Sequence, residues 1–322
     1  MTTRPRILLF GASGQVGREL LRSLAPLGDV TPIVRQASRD PAYRAARSLD
    51  LSHEHAVRAL VRDLRPRLII NAAAYTAVDR AEQEPEAAAL ANEALPRWLA
   101  DEAKHGDAAL VHYSTDYVFD GRGSTPWRED DPTGPLCVYG RTKLAGEQAI
   151  RAADCAHLII RTSWVYGIHG NNFVKTMLKL GQTRDRLRIV DDQTGAPTSA
   201  RQIAEVTSQI LGASATDWPS RLAAARGLVH MACGGSTSWL EFAREIFALA
   251  RAIDYPTKIE MLEPISTADY GAPAARPLNS RLDMSRLAEC YNLVAPDWRD
   301  ALAHEFTDIA RMVPSVGNAT SN

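Results

Sequence analysis

The chain has 322 residues with 37 Lys or Arg, 38 Asp or Glu and a formal net charge of -1 at pH 7. Because neither sign of charge dominates, neither nucleic acid nor an anionic membrane is an expected partner. The sequence has no signal-peptide pattern and no apolar run of membrane-spanning length, so we expect a cytoplasmic protein that binds a small molecule.

Short apolar runs alternate with helical stretches from Arg6 to about Thr115. We predict strands at RILLF, DVTPIV, RLIIN and AALVHYST, with helices in QVGRELLRSLAPLG, HEHAVRALVRDLRP and PEAAALANEALPRWLADEAKHG between them. This alternation is typical of a parallel sheet covered on both faces. AHLIIRTSWVYG and GLVHMACGG supply two further strands.

The alternation weakens after about Gly167. GIHGNNF and VDDQTGAPTSA read as loops around the helix FVKTMLKLGQTR, STSWLEFAREIFALARAI predicts another helix, and the Pro-punctuated stretch after it shows little helical period. We therefore predict an α/β fold, a Rossmann-type doubly wound parallel sheet with a smaller, interleaved C-terminal substrate-binding domain. The sheet domain would span residues 1–166 and about 200–232, and the second domain 167–199 and 233–312. Residues 313–322 would form a flexible tail, and the cleft between the domains would hold the substrate.

A glycine motif follows the first strand directly. In GASGQVG, Gly11, Gly14 and Gly17 have G-x-x-G-x-x-G spacing, with Gln15 and Val16 inside the motif. Such a turn lets a pyrophosphate approach the positive end of a helix, where unpaired backbone N–H groups await an acceptor. The motif therefore predicts a dinucleotide site.

The end of the second strand favours NADPH as the dinucleotide. An acidic residue there would bond the ribose 2′-hydroxyl of NAD, whereas this chain has Arg35, whose guanidinium suits a 2′-phosphate. The alternative for Arg35 is a solvated surface charge, and use of NADH stays open. Residues at the next two strand ends are expected to contact the cofactor: Asp50, Leu51, Ala73, Ala74 and Tyr75.

A tyrosine and a lysine lie four residues apart in CVYGRTKLAGEQAI. This spacing puts Tyr139 and Lys143 on one face of a helix, where the ammonium would lower the phenol pKa toward the range of proton exchange at neutral pH. Thr115, in STDY at the end of an upstream strand, would bond the substrate oxygen or tune the phenol. The pair alone is a weak signal, but after the glycine motif and a strand-end hydroxyl it indicates a reductase site.

Motifs along nearly the whole chain resemble those of the dTDP-4-dehydrorhamnose reductases, which are extended short-chain dehydrogenase/reductases. The motifs are GASGQVG, NAAAYTAVDRAE, STDYVFDG, VYGRTKLAGE, RTSWVYG, NNFVKTML, DDQTGAPT and RPLNSRLD. STDYVFDG and RPLNSRLD are the more family-specific ones.

The resemblance implies reduction of the C4 keto group of dTDP-4-dehydro-β-L-rhamnose by NADPH to dTDP-L-rhamnose, the last step in making this precursor of cell-surface polysaccharide. It implies that Tyr139 is the proton donor, that Lys143 holds the nicotinamide ribose, and that Thr115 assists the phenol. Trp164 would pack against the sugar. The remaining substrate contacts are expected from Asp116, Asn172 and Arg276, although a structural role is nearly as good a reading for Arg276.

Two rival functions stay open, whereas dehydration is disfavoured. The chain has Thr115, Asp116 and Tyr117 where related dehydratases have an Asp-Glu pair after the threonine, which disfavours dehydration. The rival functions are a non-catalytic NADP-binding regulatory subunit, and a reductase or epimerase of another nucleotide sugar.

The chain could be a monomer or a homodimer. We predict no metal site: some relatives are described with Mg²⁺ at a dimer contact that Glu19 could serve, but Arg201 falls near where another acid would be sought, so Mg²⁺ stays open.

Overall fold

The computed structural model describes residues 4–36, 40–213 and 217–314, so most of the tail predicted for 313–322 lies outside the described residues. The strands are β1 (Arg6–Phe10), β2 (Asp29–Val34), β3 (Arg47–Ser48), β4 (Leu68–Asn71), β5 (Ala109–Thr115), β6 (His157–Thr162), β7 (Val165–Tyr166), β8 (Arg186–Val190), β9 (Thr194–Gly195), β10 (Thr198–Ser199), β11 (Leu228–His230), β12 (Thr237–Ser238) and β13 (Met261–Ile265).

Helices connect and cover these strands. They are α1 (Gln15–Leu24), α2 (Glu54–Leu64), α3 (Val78–Ala81), α4 (Pro85–Ala89), α5 (Leu95–His105), α6 (Val138–Ala152), α7 (Phe173–Gly181), α8 (Ala200–Gly212), α9 (Trp218–Ala223), α10 (Trp239–Ala252), α11 (Thr267–Tyr270), α12 (Ser285–Tyr291) and α13 (Trp298–Arg311). A π-helical turn at Leu90–Ala94 joins α4 to α5, and 3₁₀ turns lie at Pro41–Tyr43 and Asp116–Val118.

Seven parallel strands form the main sheet, in the order β3-β2-β1-β4-β5-β6-β11. The chain leaves β1 toward β2 on one side and returns to β4 on the other side, so the strand order reverses between β1 and β4. In doubly wound sheets a crevice opens at the carboxyl ends of the strands at this reversal. The predicted α/β fold class is confirmed.

The sheet is buried because helices cover both of its faces. One apolar cluster joins α1 and α8 to side chains such as Ile7 and Leu9, and another joins α2 and α5 to Leu8 and Phe10 on the opposite face. Burial on both faces explains why the central strands read as continuous apolar runs in the sequence.

A third apolar cluster packs outside the sheet, where α7, α10 and α13 enclose side chains such as Phe242, Phe247 and Trp298. The Pro-punctuated stretch contributes more regular structure than its sequence suggests, because β13 pairs in parallel with β8 and α11 follows it. β13 carries Pro264, which a short edge strand tolerates. α8 and α13 are further helices that the sequence reading did not single out.

The glycine motif fixes the first helix against the first strand. Gly11 adopts φ +74°, a conformation that favours glycine, and a Cβ on Gly17 would lie 2.1 Å from the Gly11 carbonyl oxygen. Only a bare backbone at residue 17 therefore lets α1 begin this close to β1.

Gly17→Ala tests this contact. We expect the clash to lower the free energy of unfolding by roughly 1–3 kcal/mol and to weaken dinucleotide binding, because α1 must move away from the turn. Gly212→Ala is the matched control, since its Cβ would meet only Leu27 Cδ2 at 3.4 Å. Urea unfolding and cofactor fluorescence titration measure both effects, and a Gly17 variant as stable as the control would contradict the proposed clash.

Candidate active site

A cavity of about 600 Å³ opens at the carboxyl edge of the sheet. Nine of the predicted site residues line it: Gly14, Gln15, Val16, Ala74, Thr115, Asp116, Tyr139, Lys143 and Trp164. The sequence reading did not assign several other lining residues to the site, and these include Ser114, Tyr117, Thr162 and Trp239. The structure thus brings the glycine turn and the Thr, Tyr and Lys set to one cavity.

The glycine turn presents backbone donors to this cavity. Gly14 precedes α1, no side chain caps the helix, and no acidic side chain lies in its first turn. A Cβ on Gly11 would lie 2.4 Å from the Ala73 backbone nitrogen, so the end of β4 closes tightly over the turn. Uncapped N–H groups beside a bare backbone fit the diphosphate of a dinucleotide.

Helix α6 carries Tyr139 and Lys143 to the end of β5. The Val138 backbone N–H at its start donates to Glu82 Oε1 (2.7 Å). A Cβ on Gly140 would lie 2.3 Å from the Tyr117 carbonyl oxygen, so this glycine lets the helix lie directly against the chain after β5. The close approach brings the Tyr139 phenol within reach of the Thr115 hydroxyl, which itself donates to Asp116 Oδ1 (3.0 Å).

The expected effect of the ammonium on the phenol is not found. Burial raises the pKa of Tyr139, and the hydrogen bond with Thr115 opposes this only in part. The Lys143 ammonium does not point at the phenol: its Nζ donates to the Tyr113 carbonyl (2.5 Å) and lies 3.2 Å from His112 Nε2. The predicted lowering of the Tyr139 pKa was wrong because it considered only the attraction between the ammonium and the phenolate. It left out the cost of burying the phenolate away from water.

Hydroxyl and carboxyl groups surround the space next to Tyr139. Asp116 is buried, which raises its pKa to about 6, although hydrogen bonds from Ser280 and Thr115 favour the carboxylate. Ser114 Oγ and Thr162 Oγ1 are buried, line the cavity and have no hydrogen-bond partner among the described residues. Buried hydroxyls without partners are rare, so these two suit a polar ligand.

Two stacked tryptophans form the opposite wall. The rings of Trp164 and Trp239 lie 3.7 Å apart between centroids with 13° between their planes. Trp164 adopts φ +47°, which is unusual for a bulky residue and marks local backbone strain. Trp239 Nε1 donates to Gln193 Oε1 (2.9 Å), which fixes the second ring. The sequence reading left Trp239 as a packing residue, because nothing in STSW distinguishes a wall from a core.

The remaining predicted cofactor residues do not line the cavity. Arg35 is exposed directly after β2, and its carbonyl accepts from Ser48 Oγ (3.0 Å). Asp50 is also exposed, and its carboxylate accepts hydrogen bonds from the backbone N–H and the hydroxyl of Ser52. These bonds close a turn after β3 that contains the half-buried Leu51. Tyr75 Oη donates to Glu84 Oε2 (2.7 Å).

Two of the predicted substrate residues are engaged with other side chains. Asn172 caps α7, and its amide donates to Gln15 Oε1 (2.9 Å) and so joins α7 to the glycine turn. Arg276 forms an ion pair with Asp79 (2.7 Å). A contact from Arg276 to a diphosphate would therefore compete with this ion pair.

Glu19 lies apart from the cavity, and its carboxylate is 3.8 Å from Arg201 Nε. Within residues 4–36, 40–213 and 217–314, no three His, Cys, Asp or Glu side chains are grouped as metal ligands. None of the helices in those ranges is long and apolar enough to cross a bilayer.

The chain matches the family model described as RmlD substrate binding domain over residues 5–311. It is 44% identical to the dTDP-4-dehydrorhamnose reductase of Escherichia coli (strain K12) over 293 residues, which cover 91% of this chain and 94% of that protein. The reductase of the same name from Salmonella typhimurium is 43% identical over 303 residues, which cover 94% and 97%.

Solved structures agree with these sequence matches. The crystal structure of dTDP-4-dehydrorhamnose reductase from Bacillus anthracis in complex with NADP has a TM-score of 0.83 and 34% identity, covering 95% of this chain and 100% of that one. The structure from Clostridium acetobutylicum has a TM-score of 0.81 and 35% identity, covering 94% and 98%. The resemblance carried by the sequence motifs is confirmed, and the chain belongs to the dTDP-4-dehydrorhamnose reductase family.

Proposed function

We infer that this protein is an NADPH-dependent oxidoreductase that reduces the C4 keto group of dTDP-4-dehydro-β-L-rhamnose to give dTDP-L-rhamnose. The observation that carries the inference is a single cavity lined by the glycine turn, Thr115, Tyr139 and Lys143, in a chain that belongs to the reductase family. Bound NADPH supplies a hydride to the carbonyl carbon.

We propose that Tyr139 supplies the proton that the carbonyl oxygen needs. Tyr139 is half-buried and lines the cavity, and the raised pKa of its phenol keeps it protonated before reaction. The Thr115 hydroxyl bonds the phenol and would hold it toward the ketone oxygen. Lys143, as an ammonium lining the same cavity, would hold the nicotinamide ribose of the cofactor.

The other cavity residues suit a sugar. Asp116 and the unpartnered hydroxyls of Ser114 and Thr162 can hydrogen-bond sugar hydroxyls. The stacked rings of Trp164 and Trp239 offer an apolar wall for the face of a deoxysugar. Nucleotide and sugar selectivity would then depend on how well these groups are satisfied, because an unpaired buried polar group is costly.

A relative with a different printed name suggests a second nucleotide sugar to test as a substrate. The chain is 38% identical over 305 residues to a Streptomyces antibioticus protein named probable dTDP-4,6-dihydroxy-2-methyloxan-3-one 4-ketoreductase, covering 94% of this chain and 95% of that protein. That name indicates reduction of another dTDP-linked ketosugar, so turnover of this protein should be measured with a second dTDP-linked ketosugar as well.

We propose that the reaction takes place in the cytoplasm. A monomer and a homodimer are both compatible with a cavity built from one chain.

Tyr139→Phe tests the proton donor. With NADPH and dTDP-4-dehydro-β-L-rhamnose, the wild type should oxidise the cofactor with loss of the reduced-nicotinamide absorbance, and the variant should turn over on the order of 10²–10⁴ times more slowly with nearly unchanged NADPH affinity. Tyr291→Phe is the control, since the Tyr291 hydroxyl donates to the Arg221 carbonyl. No oxidation by folded wild type, or stable capture of another enzyme without turnover, would favour the regulatory alternative.

Arg35→Asp tests the choice of cofactor. If the guanidinium faces the 2′-phosphate of NADPH, its replacement by a carboxylate should reduce kcat/KM for NADPH by at least about tenfold, which corresponds to ~1.4 kcal/mol, and affect NADH much less. Arg47→Asp, on the neighbouring exposed strand, controls for a general loss of positive charge. Equal losses with both cofactors would show that Arg35 is a solvated surface charge.

Trp239→Ala tests the aromatic wall. Loss of the ring should raise KM for the nucleotide sugar by roughly tenfold, consistent with ~1–2 kcal/mol of aromatic contact, and leave KM for NADPH within about twofold. Trp239→Phe keeps a ring beside Trp164 and should retain most of the affinity. If both variants bind the sugar like the wild type in steady-state kinetics, Trp239 is a packing residue only.

A further inference from the structure

A chain of buried polar side chains runs from Lys143 away from the cavity. Lys143 Nζ lies 3.2 Å from His112 Nε2, and His112 Nδ1 lies 3.1 Å from Asn71 Nδ2. The three residues are each no more than 2% exposed. The proposed mechanism uses Lys143 but gives no role to His112 or Asn71.

The backbone fixes the orientation of the Asn71 amide. The Ala73 N–H donates to Asn71 Oδ1 (3.1 Å), and a backbone N–H can only donate, so the oxygen must face it. The amide NH₂ of Asn71 then faces His112 Nδ1. Because an amide NH₂ donates and does not accept, Nδ1 must carry the lone pair.

The orientation of Asn71 thereby sets the tautomer of His112. Burial, followed by the nearby Lys143 charge, holds the pKa of His112 well below its usual value, so the ring is neutral and has one N–H. With Nδ1 as the acceptor, that proton is on Nε2 and faces Lys143 Nζ. An ammonium has no lone pair to accept it, whereas a neutral amine does.

We propose that His112, with its tautomer fixed by Asn71, is a positioning residue that disfavours the ammonium form of Lys143. In the neutral form, Nε2–H donates to the Nζ lone pair and one Nζ–H still donates to the Tyr113 carbonyl. In the charged form, Nζ keeps the carbonyl contact but places a donor opposite a donor. Loss of one proton from Nζ separates the two forms.

Other charged groups around Lys143 act in the opposite direction or are already paired. Burial lowers the pKa of Lys143 to about 8, and Glu147, one turn further along α6, raises it. Arg161 on β6 binds both oxygens of Glu147 at 2.9 and 2.7 Å, which shares the carboxylate charge with a second cation. The other titratable groups that line the cavity are Tyr113, Asp116, Tyr117 and Tyr139, and the pKa of each is raised by burial.

The inference rests on the proposed function for its kinetic consequence. In the proposed function Lys143 binds the cofactor ribose as an ammonium, a stronger donor than the neutral amine, so kcat/KM for ketone reduction should fall as pH rises through the pKa of Lys143, near 8. The tautomer of His112 is a separate property that needs no turnover. The experiment therefore measures both.

Asn71→Asp reverses the hydrogen-bond direction with little change in shape. One carboxylate oxygen still accepts from Ala73 N–H and the other accepts from Nδ1–H, so the ring proton moves to Nδ1 and Nε2 accepts from the Lys143 ammonium. We expect ¹⁵N spectra of histidine-labelled protein to show Nε2 protonated in the wild type and Nδ1 protonated in the variant. The fall in kcat/KM should move up by at least about one pH unit.

Controls separate this inference from its alternatives. His112→Gln removes one ¹⁵N signal and so identifies that of His112 among the eight histidines. Because the glutamine offers Lys143 an amide oxygen, the fall in kcat/KM should also move to higher pH in this variant. It therefore replaces Asn71→Asp as the test if that variant fails to fold. His157→Gln, at a ring whose Nδ1 lies 2.8 Å from the Cys155 carbonyl and not in the Lys143 cluster, should leave the profile unchanged. Protonated Nδ1 in the wild type overturns the proposal even without turnover, as does an unchanged profile in a folded Asn71→Asp or His112→Gln variant that reduces the sugar. Absence of reduction by the wild type counts against the proposed function, and the spectra still decide the tautomer.

Discussion

The site depends on the close docking of α6 on the end of β5. The Lys143 ammonium donates to the Tyr113 carbonyl at 2.5 Å, at the position where β5 approaches its end. Gly140 allows this approach, since a Cβ there would lie 2.3 Å from the Tyr117 carbonyl oxygen. Gly146 lets α6 lie equally close to the π-helical turn, since its Cβ would lie 2.1 Å from the Asn92 carbonyl oxygen. A helix held at this distance presents Tyr139 to Thr115 with little freedom, and restricted geometry is what proton transfer requires.

The sheet supplies the second half of the arrangement. Its strand order reverses between β1 and β4, so the glycine turn after β1 and the threonine at the end of β5 reach the same cavity, although about a hundred residues separate them in the chain. The aromatic wall comes from still later segments, because Trp164 follows β6 and Trp239 begins α10. Parallel connections place the glycine turn, Thr115 and Trp164 at one edge of the sheet, and Trp239 reaches the cavity from the helical cluster outside the sheet.

The sequence predicted the sheet more reliably than the outer segments. RILLF coincides with β1, where the last four residues are buried and apolar because helices cover both faces of the sheet. DVTPIV coincides with β2, in which only the last three residues are buried. β13 was missed, since an edge strand paired only with β8 needs no such pattern. The Tyr139 and Lys143 pair was predicted from its spacing together with the glycine motif and Thr115. The predicted lowering of the phenol pKa was wrong, because burial depends on the tertiary packing of α6, which no local pattern reports. Trp239 was missed for the same reason.

Burial gives the cavity a common electrostatic property. It lowers the pKa of Lys143 to about 8, raises that of Asp116 to about 6, and raises that of Tyr139, so each group moves toward its neutral form. At pH 7 these pKa values leave Asp116 and Lys143 mostly ionised with opposite signs, so the cavity has little net charge. A charged ligand interacts strongly there, because electrostatic interactions are larger where water is excluded. An anionic dinucleotide near Lys143 would favour the ammonium and oppose the effect of His112. The protonation of Lys143 would then depend on cofactor binding, which couples formation of the cationic site to the arrival of the molecule that needs it.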